Sequence, residues 1–222
     1  MGSTGAFRLD DTIKFPSDKE HDTARHRDIR AFCVFAGSRM GTNGRFRAAA
    51  ERLGRLMAER GIRLIYGGGA IGLMGVLAKS VLDHGGEVTG VIPDFLMTLE
   101  VGDPGVTELI VVDSMHERKA RMFELSDGFV VLPGGLGTLD ETIEMATWKQ
   151  LQLHVKPIIV VNVDGYWDSL GGLLGNVVAG GFAHPAMPSL ISTVNAVDDV
   201  FEAAVTAPLP GSEVLLSHLQ GD

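Results

Sequence analysis

The 222-residue sequence predicts a single α/β domain: a Rossmann-like, doubly wound, mainly parallel sheet flanked by helices. Three observations predict it. Short, almost wholly apolar runs of strand length alternate with longer stretches of helical period. The runs lack polar alternation, so each is expected to be buried on both faces, as in a parallel sheet. Several of the junctions from run to helix are rich in glycine.

Residues 1–28 are polar, mixed in charge and without periodicity, and are read as a flexible extension. The folded domain is expected over 29–207. Ile29 to Phe35 is the first strand, and Gly37-Ser38-Arg39-Met40-Gly41 turns into a helix from about Asn43 to Arg60 with Phe46, Ala50, Leu53 and Met57 facing inward. Gly61 closes that helix. Ile62 to Tyr66 is the second strand, followed by the loop Gly67 to Gly75 and a helix to about His84. Glu87 to Ile92 is the third strand, Pro93 to Gly105 an irregular segment and Val106 to Val112 the fourth strand. Ser114 caps a helix to about Ser126, with Met115, Lys119, Met122 and Phe123 at three- and four-residue spacing.

The fifth strand, Gly128 to Leu132, feeds a glycine loop and a helix ending near His154. Pro157 to Val161, a helix from Tyr166 to Ala179, a short strand near Leu190 to Thr193 and a helix from Ala196 to Thr206 complete the domain. Residues 208–222, with Pro208, Pro210 and Gly211, read as a flexible tail.

In such a sheet ligands sit beyond the carboxyl ends of the strands. Three glycine-rich loops fall there and make one pocket with three walls: Gly37 to Gly41, Gly67 to Gly75 and Pro133 to Thr138. The richest in chemistry is Leu132-Pro133-Gly134-Gly135-Leu136-Gly137-Thr138-Leu139-Asp140-Glu141. At a strand-to-helix turn the first-turn N–H groups are unpaired and the helix dipole is positive, and glycines let an anion approach. The Thr138 hydroxyl adds a donor. Glu141 lies a turn further on, and Glu144 places a second carboxylate on the same side. A phosphate with acids beside it suggests a sugar phosphate. Thr138-x-x-Glu141 equally fits a capping box with the helix beginning near Leu139.

The counts of 19 basic and 28 acidic residues give a net charge of −9, which argues against a general nucleic-acid surface. Cys33 is the sole cysteine and reads as a buried, inert thiol, consistent with a cytoplasmic protein. No apolar stretch reaches the roughly 18 residues of a membrane span. The histidines show no paired metal-ligand spacing, so no metal is expected. Gly67-x-Gly69-x-x-Gly72, with Asp94 after the next strand, matches a dinucleotide fingerprint, but on the second strand rather than the first. An isolated Glu117-Arg118-Lys119 run ordinarily makes a solvated helix face. Met115, Met122 and Met145 read most simply as core.

Together, Tyr66-Gly67-Gly68-Gly69-x-x-Gly72-Leu73-Met74-Gly75, Met115-His116-Glu117-Arg118-Lys119-x-x-Met122, Pro133-Gly134-Gly135-x-Gly137-Thr138-x-x-Glu141 and Asn162-Val163-Asp164-Gly165-Tyr166-Trp167 resemble the LOG (Lonely Guy) family. These are cytokinin riboside 5′-monophosphate phosphoribohydrolases, often labelled lysine decarboxylases. The resemblance runs from about Phe32 to Ala204. It implies hydrolysis of the N-glycosidic bond of an N6-modified AMP, without a cofactor, by a homodimer or larger assembly. Arg118 and Glu141 would be the catalytic pair. Gly68, Gly69, Pro133, Gly134, Gly135, Gly137 and Thr138 would hold the nucleotide, Ser38, Arg39, Met115 and Lys119 would line base and ribose, and Glu144 would assist Glu141. Asp140 stands where Glu is common in the family, Arg121 where an acid is common, and the loop Arg39 to Phe46 lacks the usual tyrosine. The rival readings are a nucleotide or molybdenum-cofactor carrier on the same fold and an NAD(P)-dependent dehydrogenase.

Overall fold

The computed structural model describes residues 28–97, 105–209, 211 and 214. All but the last residue of the expected extension over 1–28, most of the tail and the centre of the irregular segment, 98–104, lie outside the described residues. Seven parallel strands form one sheet in the order β4-β3-β2-β1-β5-β6-β7: β1 Ala31–Phe35, β2 Arg63–Tyr66, β3 Val88–Pro93, β4 Glu108–Val112, β5 Gly128–Val131, β6 Ile158–Val161 and β7 Ser192–Val194. The helices are α1 Gly44–Glu59, α2 Gly72–Asp83, α3 Met115–Glu124, α4 Leu136–Gln150, α5 Asp168–Ala179 and α6 Val200–Thr206. The last expected helix enters through a separate 3₁₀ turn, Val197–Asp199. Pro93 completes β3 instead of opening the irregular segment, and Asp94–Leu96 makes a 3₁₀ turn beyond it.

The unbroken apolar runs follow from position. The inner strands β1, β3, β5 and β6 are buried at every residue, whereas the edge strands β4 and β7 are only partly covered. Alternate residues serve two cores. Phe32, Val34, Leu64 and Tyr66 pack with α1, α2 and α6, and Cys33, Phe35, Ile65, Phe129 and Val131 pack with α3, α4 and α5. Cys33 is a free, fully buried thiol, and burial pushes its pKa well above the ordinary thiol value.

His154 is held beneath α4, its ring edge-on to Phe123 and Phe129. The Lys156 N–H donates to Nδ1 at 3.1 Å, so the ring is an acceptor there, and Nε2 donates to the Met145 carbonyl at 2.9 Å. Burial lowers the His154 pKa to about 4. The unfolded chain takes up this proton near pH 6.5 and the folded one only near 4, so the stabilising contribution is complete above pH 6.5 and is lost as pH falls toward 4. The loss is on the order of 3 kcal/mol. Melting curves between pH 7 and 4.5 should show it, and His154→Asn should remove this component of the pH dependence.

The chain runs outward from β1 to β4 on one side and then crosses to β5 on the other. The loops after β1 and β5 therefore diverge, and the crevice between them is the expected ligand position in a doubly wound sheet.

Candidate active site

Helix α4 begins three residues earlier than a Thr138 cap would require. Its N-cap is Gly135, which offers no side-chain acceptor, so Thr138 and Glu141 do not form a capping box. Consecutive glycines let the chain enter the helix at Leu136, and the Thr138 side chain folds back over Gly134. A Cβ on Gly134 would lie 2.1 Å from Thr138 Oγ1. The first-turn N–H groups of Leu136, Gly137 and Thr138 thus open at the crevice without a capping side chain, with the positive end of the helix dipole behind them.

The loop from Gly67 to Gly75 is spent on packing. The N–H groups of Leu73 and Met74, at the start of α2, donate to the Gly37 carbonyl at 2.9 and 3.4 Å. Gly72 has φ +64°, and a Cβ on it would stand 2.2 Å from the carbonyl carbon of Ser38. Gly68 is pressed against Ile92, where a Cβ would come within 3.0 Å. A pyrophosphate has no helix terminus left to bind here, and Asp94 is exposed. The spacing that matched a dinucleotide fingerprint instead seats the β1 loop, which is also tied to the β5 loop by Gly37 N–H to Pro133 O at 3.1 Å.

Arg118 departs most from the expectation of a solvated charged face: it is 5% exposed. Its Nη2 donates to Gly67 O, just beyond the end of β2, at 2.8 Å and its Nε to Val91 O, in the second half of β3, at 3.2 Å. Met115, one turn earlier on α3, is not core but 37% exposed, with its sulfur 3.8 Å from Arg118 Nη1. Arg118, Met115 and Glu141 line one cavity of about 230 Å³ with Ser38, Met74, Leu96, Gly135, Gly137 and Thr138. Gly67 makes room for the guanidinium, since a Cβ there would lie 2.0 Å from Nη2. Gly67→Ala should displace the guanidinium and lower kcat/KM about a hundredfold in a protein that still folds; activity within threefold of wild type would contradict this placement of Arg118.

A second chamber of about 310 Å³ adjoins the first and shares Gly37, Ser38 and Gly135 with it. Arg39, Gly41, Phe46, Leu73, Pro133, Gly134 and Tyr166 complete its walls. The segment from Asn162 to Trp167 braces it. Asn162 Oδ1 accepts from the Trp167 N–H and its amide donates to Asp168, each at 2.7 Å. Asp164, at φ +53°, accepts from the Asn43 amide at 2.7 Å and pairs with Arg45. These two partners hold its carboxyl below the usual carboxylate range, Asn43 foremost.

The structure does not bring every expected residue into the crevice. Lys119 pairs with Glu144 at 2.9 Å and Asp140 at 3.1 Å, linking α3 to α4, and neither Lys119 nor Glu144 lines either chamber. Partial burial works against the Lys119 charge, but hydrogen bonds to Glu144 and then Asp140 hold its pKa above the ordinary value. Gly68 and Gly69 are buried beneath the loops and line neither chamber. Met74, Leu96, Phe46 and Tyr166 also line the chambers; the sequence placed Phe46 on the inward face of its helix and Met74 and Tyr166 within family motifs, but gave none of the four a site role.

A family model described as "Possible lysine decarboxylase" matches residues 74–204. "Cytokinin riboside 5′-monophosphate phosphoribohydrolase LOG" of Oryza sativa subsp. japonica is 43% identical over 185 residues, 83% of this chain and 76% of that protein. The chain belongs to the LOG family. A further LOG relative from the same plant, "Probable cytokinin riboside 5′-monophosphate phosphoribohydrolase LOGL1", is 51% identical over 150 residues, covering 68% of this chain and 67% of its own. LOG3 of Arabidopsis thaliana is 45% identical over 163 residues, 73% of this chain and 76% of its own. Among solved structures, the molybdenum cofactor binding protein of Rippkaea orientalis superposes with a TM-score of 0.57 at 20% identity, over 78% of this chain and 93% of that one. The molybdenum cofactor carrier protein of Chlamydomonas reinhardtii gives 0.57 at 20% identity, over 78% and 94%. At that identity the likeness to the carriers is one of fold.

Proposed function

We propose that this LOG-family chain hydrolyses the N-glycosidic bond of adenosine-type 5′-monophosphates, N6-modified ones included, to the free base and ribose 5-phosphate. The observation that carries the reading is the meeting of a buried arginine, a carboxylate and an uncapped helix N-terminus on one cavity. In this reading the 5′-phosphate sits against Gly135, Gly137 and Thr138. The sugar then lies between Glu141 and Arg118.

Cleavage builds positive charge on the sugar ring, and Glu141 stabilises it while accepting a proton from the attacking water, as carboxylates do in glycosidases. The C1′–N bond breaks, its electron pair leaves with the base, and the water oxygen becomes the new hydroxyl at C1′; the departing nitrogen takes a proton from solvent and Glu141 returns its proton to solvent, which completes the free base and resets the carboxylate. Arg118 faces the leaving base and stabilises its developing negative charge. A guanidinium gives up protons poorly, so its role is electrostatic. Arg118 is aimed by the Gly67 and Val91 carbonyls, which leaves no reorganisation for the moment of reaction. No lysine is among the described residues lining the two chambers, and Lys156 instead lies over the Phe123 ring, so decarboxylation through a lysine adduct finds no support.

The proposal includes a cytoplasmic homodimer. The association is supported by the apolar side chains left open on and just after α4, namely Leu136 at 85%, Ile143 at 39%, Leu151 at 45% and Leu153 at 65% exposure. Light scattering should return twice the 23.7 kDa chain mass. The reaction itself is tested by incubating the protein with AMP in H₂¹⁸O. Adenine and ribose 5-phosphate in equal amounts, with the label on the sugar, are expected. Label on phosphate, or adenosine as the product, would overturn the reading.

A further inference from the structure

We infer that the Tyr166 hydroxyl is a positioning group for the anion-binding loop: by holding the Gly134 carbonyl it turns the Gly135 N–H toward the phosphate. The inference rests on the proposed reading of that loop as the 5′-phosphate cradle. Tyr166 Oη donates to Gly134 O at 2.6 Å. The peptide linking Gly134 to Gly135 is planar and trans, so its C=O and N–H point in opposite directions.

Tyr166 and Gly134 line the second chamber, which Glu141 and Arg118 do not. A carbonyl tethered on that side sends the Gly135 N–H to the other, where Gly135 also lines the cavity of Glu141 and Arg118. Two glycines in succession would otherwise let this peptide rotate freely. The same hydrogen bond polarises the peptide and strengthens its N–H as a donor.

The ring is held for this task. Phe46 meets it edge-on at 5.2 Å and Trp167 at 4.8 Å. Asp164, two residues earlier, is fastened to Asn43 and Arg45 at the start of α1. The conformation of the β5 loop is therefore set from β6 and α1, by a residue 32 positions away from its partner in sequence.

The test uses the full chain carrying Glu141→Gln, so that nucleotide is not consumed, with and without Tyr166→Phe. AMP and ribose 5-phosphate are titrated, and adenosine is measured as a competitor. Tyr166→Phe should weaken AMP and ribose 5-phosphate by the same factor, about three- to tenfold, and leave adenosine unchanged. With Glu141 restored, KM for AMP should rise by that factor while kcat changes by less than about twofold. Unchanged affinity for AMP, an equal loss for adenosine, or a fall in kcat at constant phosphate affinity would each overturn the inference. Should Tyr166→Phe not fold, Asp164→Ala is read by the same criteria, since it frees the turn while keeping the hydroxyl; it should give a smaller phosphate-dependent loss, and none would overturn the role. A protein that binds AMP in this Tyr166-dependent way yet releases no base would retain the positioning role and refute the hydrolase.

Discussion

Glu141→Gln should lower kcat for base release about a thousandfold while leaving the fold intact. Glutamine preserves shape and hydrogen-bonding capacity at this half-buried site, but it carries no negative charge and accepts no proton. Both functions assigned to Glu141 are lost at once. Because the carboxylate acts on charge that develops only in the transition state, kcat and kcat/KM should fall together and KM should hardly move. Melting curves should be nearly superimposable on wild type. More than a tenth of the wild-type rate would remove Glu141 from the chemistry.

Arg118→Ala should cost about a hundred- to a thousandfold in kcat, the range for deleting one preorganised donor. Unlike the Glu141 variant, it should also destabilise. The Gly67 and Val91 carbonyls would each lose a partner in a buried setting. A penalty of about 2 kcal/mol and a drop of roughly 5 °C in Tm are expected. Arg118→Lys should restore little activity, because a single ammonium cannot reproduce the planar fork that bonds two carbonyls while facing the cavity. Full activity in the lysine variant would show that charge alone suffices.

The burial of Arg118 was legible in part. It stands four residues before Met122, the buried apolar residue of α3, which places it on the inward face of that helix. A run of neighbouring charges obscured that, and the cavity that receives it is made by Gly67, 51 positions away. The parallel sheet and its crevice were easier to read, because unbroken apolar runs and glycine junctions are local signals. Thr138 misled as a helix cap because a capping box and a glycine-led helix start share residues and differ only in backbone path. Tyr166 stood in the Asn162 to Trp167 motif, but its place there reveals nothing of the Gly134 carbonyl it meets across the fold. Lys119 and Glu144 stand on α3 and α4, the helices that carry Arg118 and Glu141, but they pair with one another and line neither chamber.

The central claim is that bond cleavage depends on a phosphate held at the start of α4. It is tested most directly by following free base from AMP and from isopentenyladenosine 5′-monophosphate beside the corresponding unphosphorylated ribosides. Base should come from the monophosphates, with the ribosides at least about a hundredfold slower in kcat/KM, because the binding energy of the remote phosphate supports the reacting centre. Equal rates from both classes, or no base from a protein that binds AMP, would contradict the account.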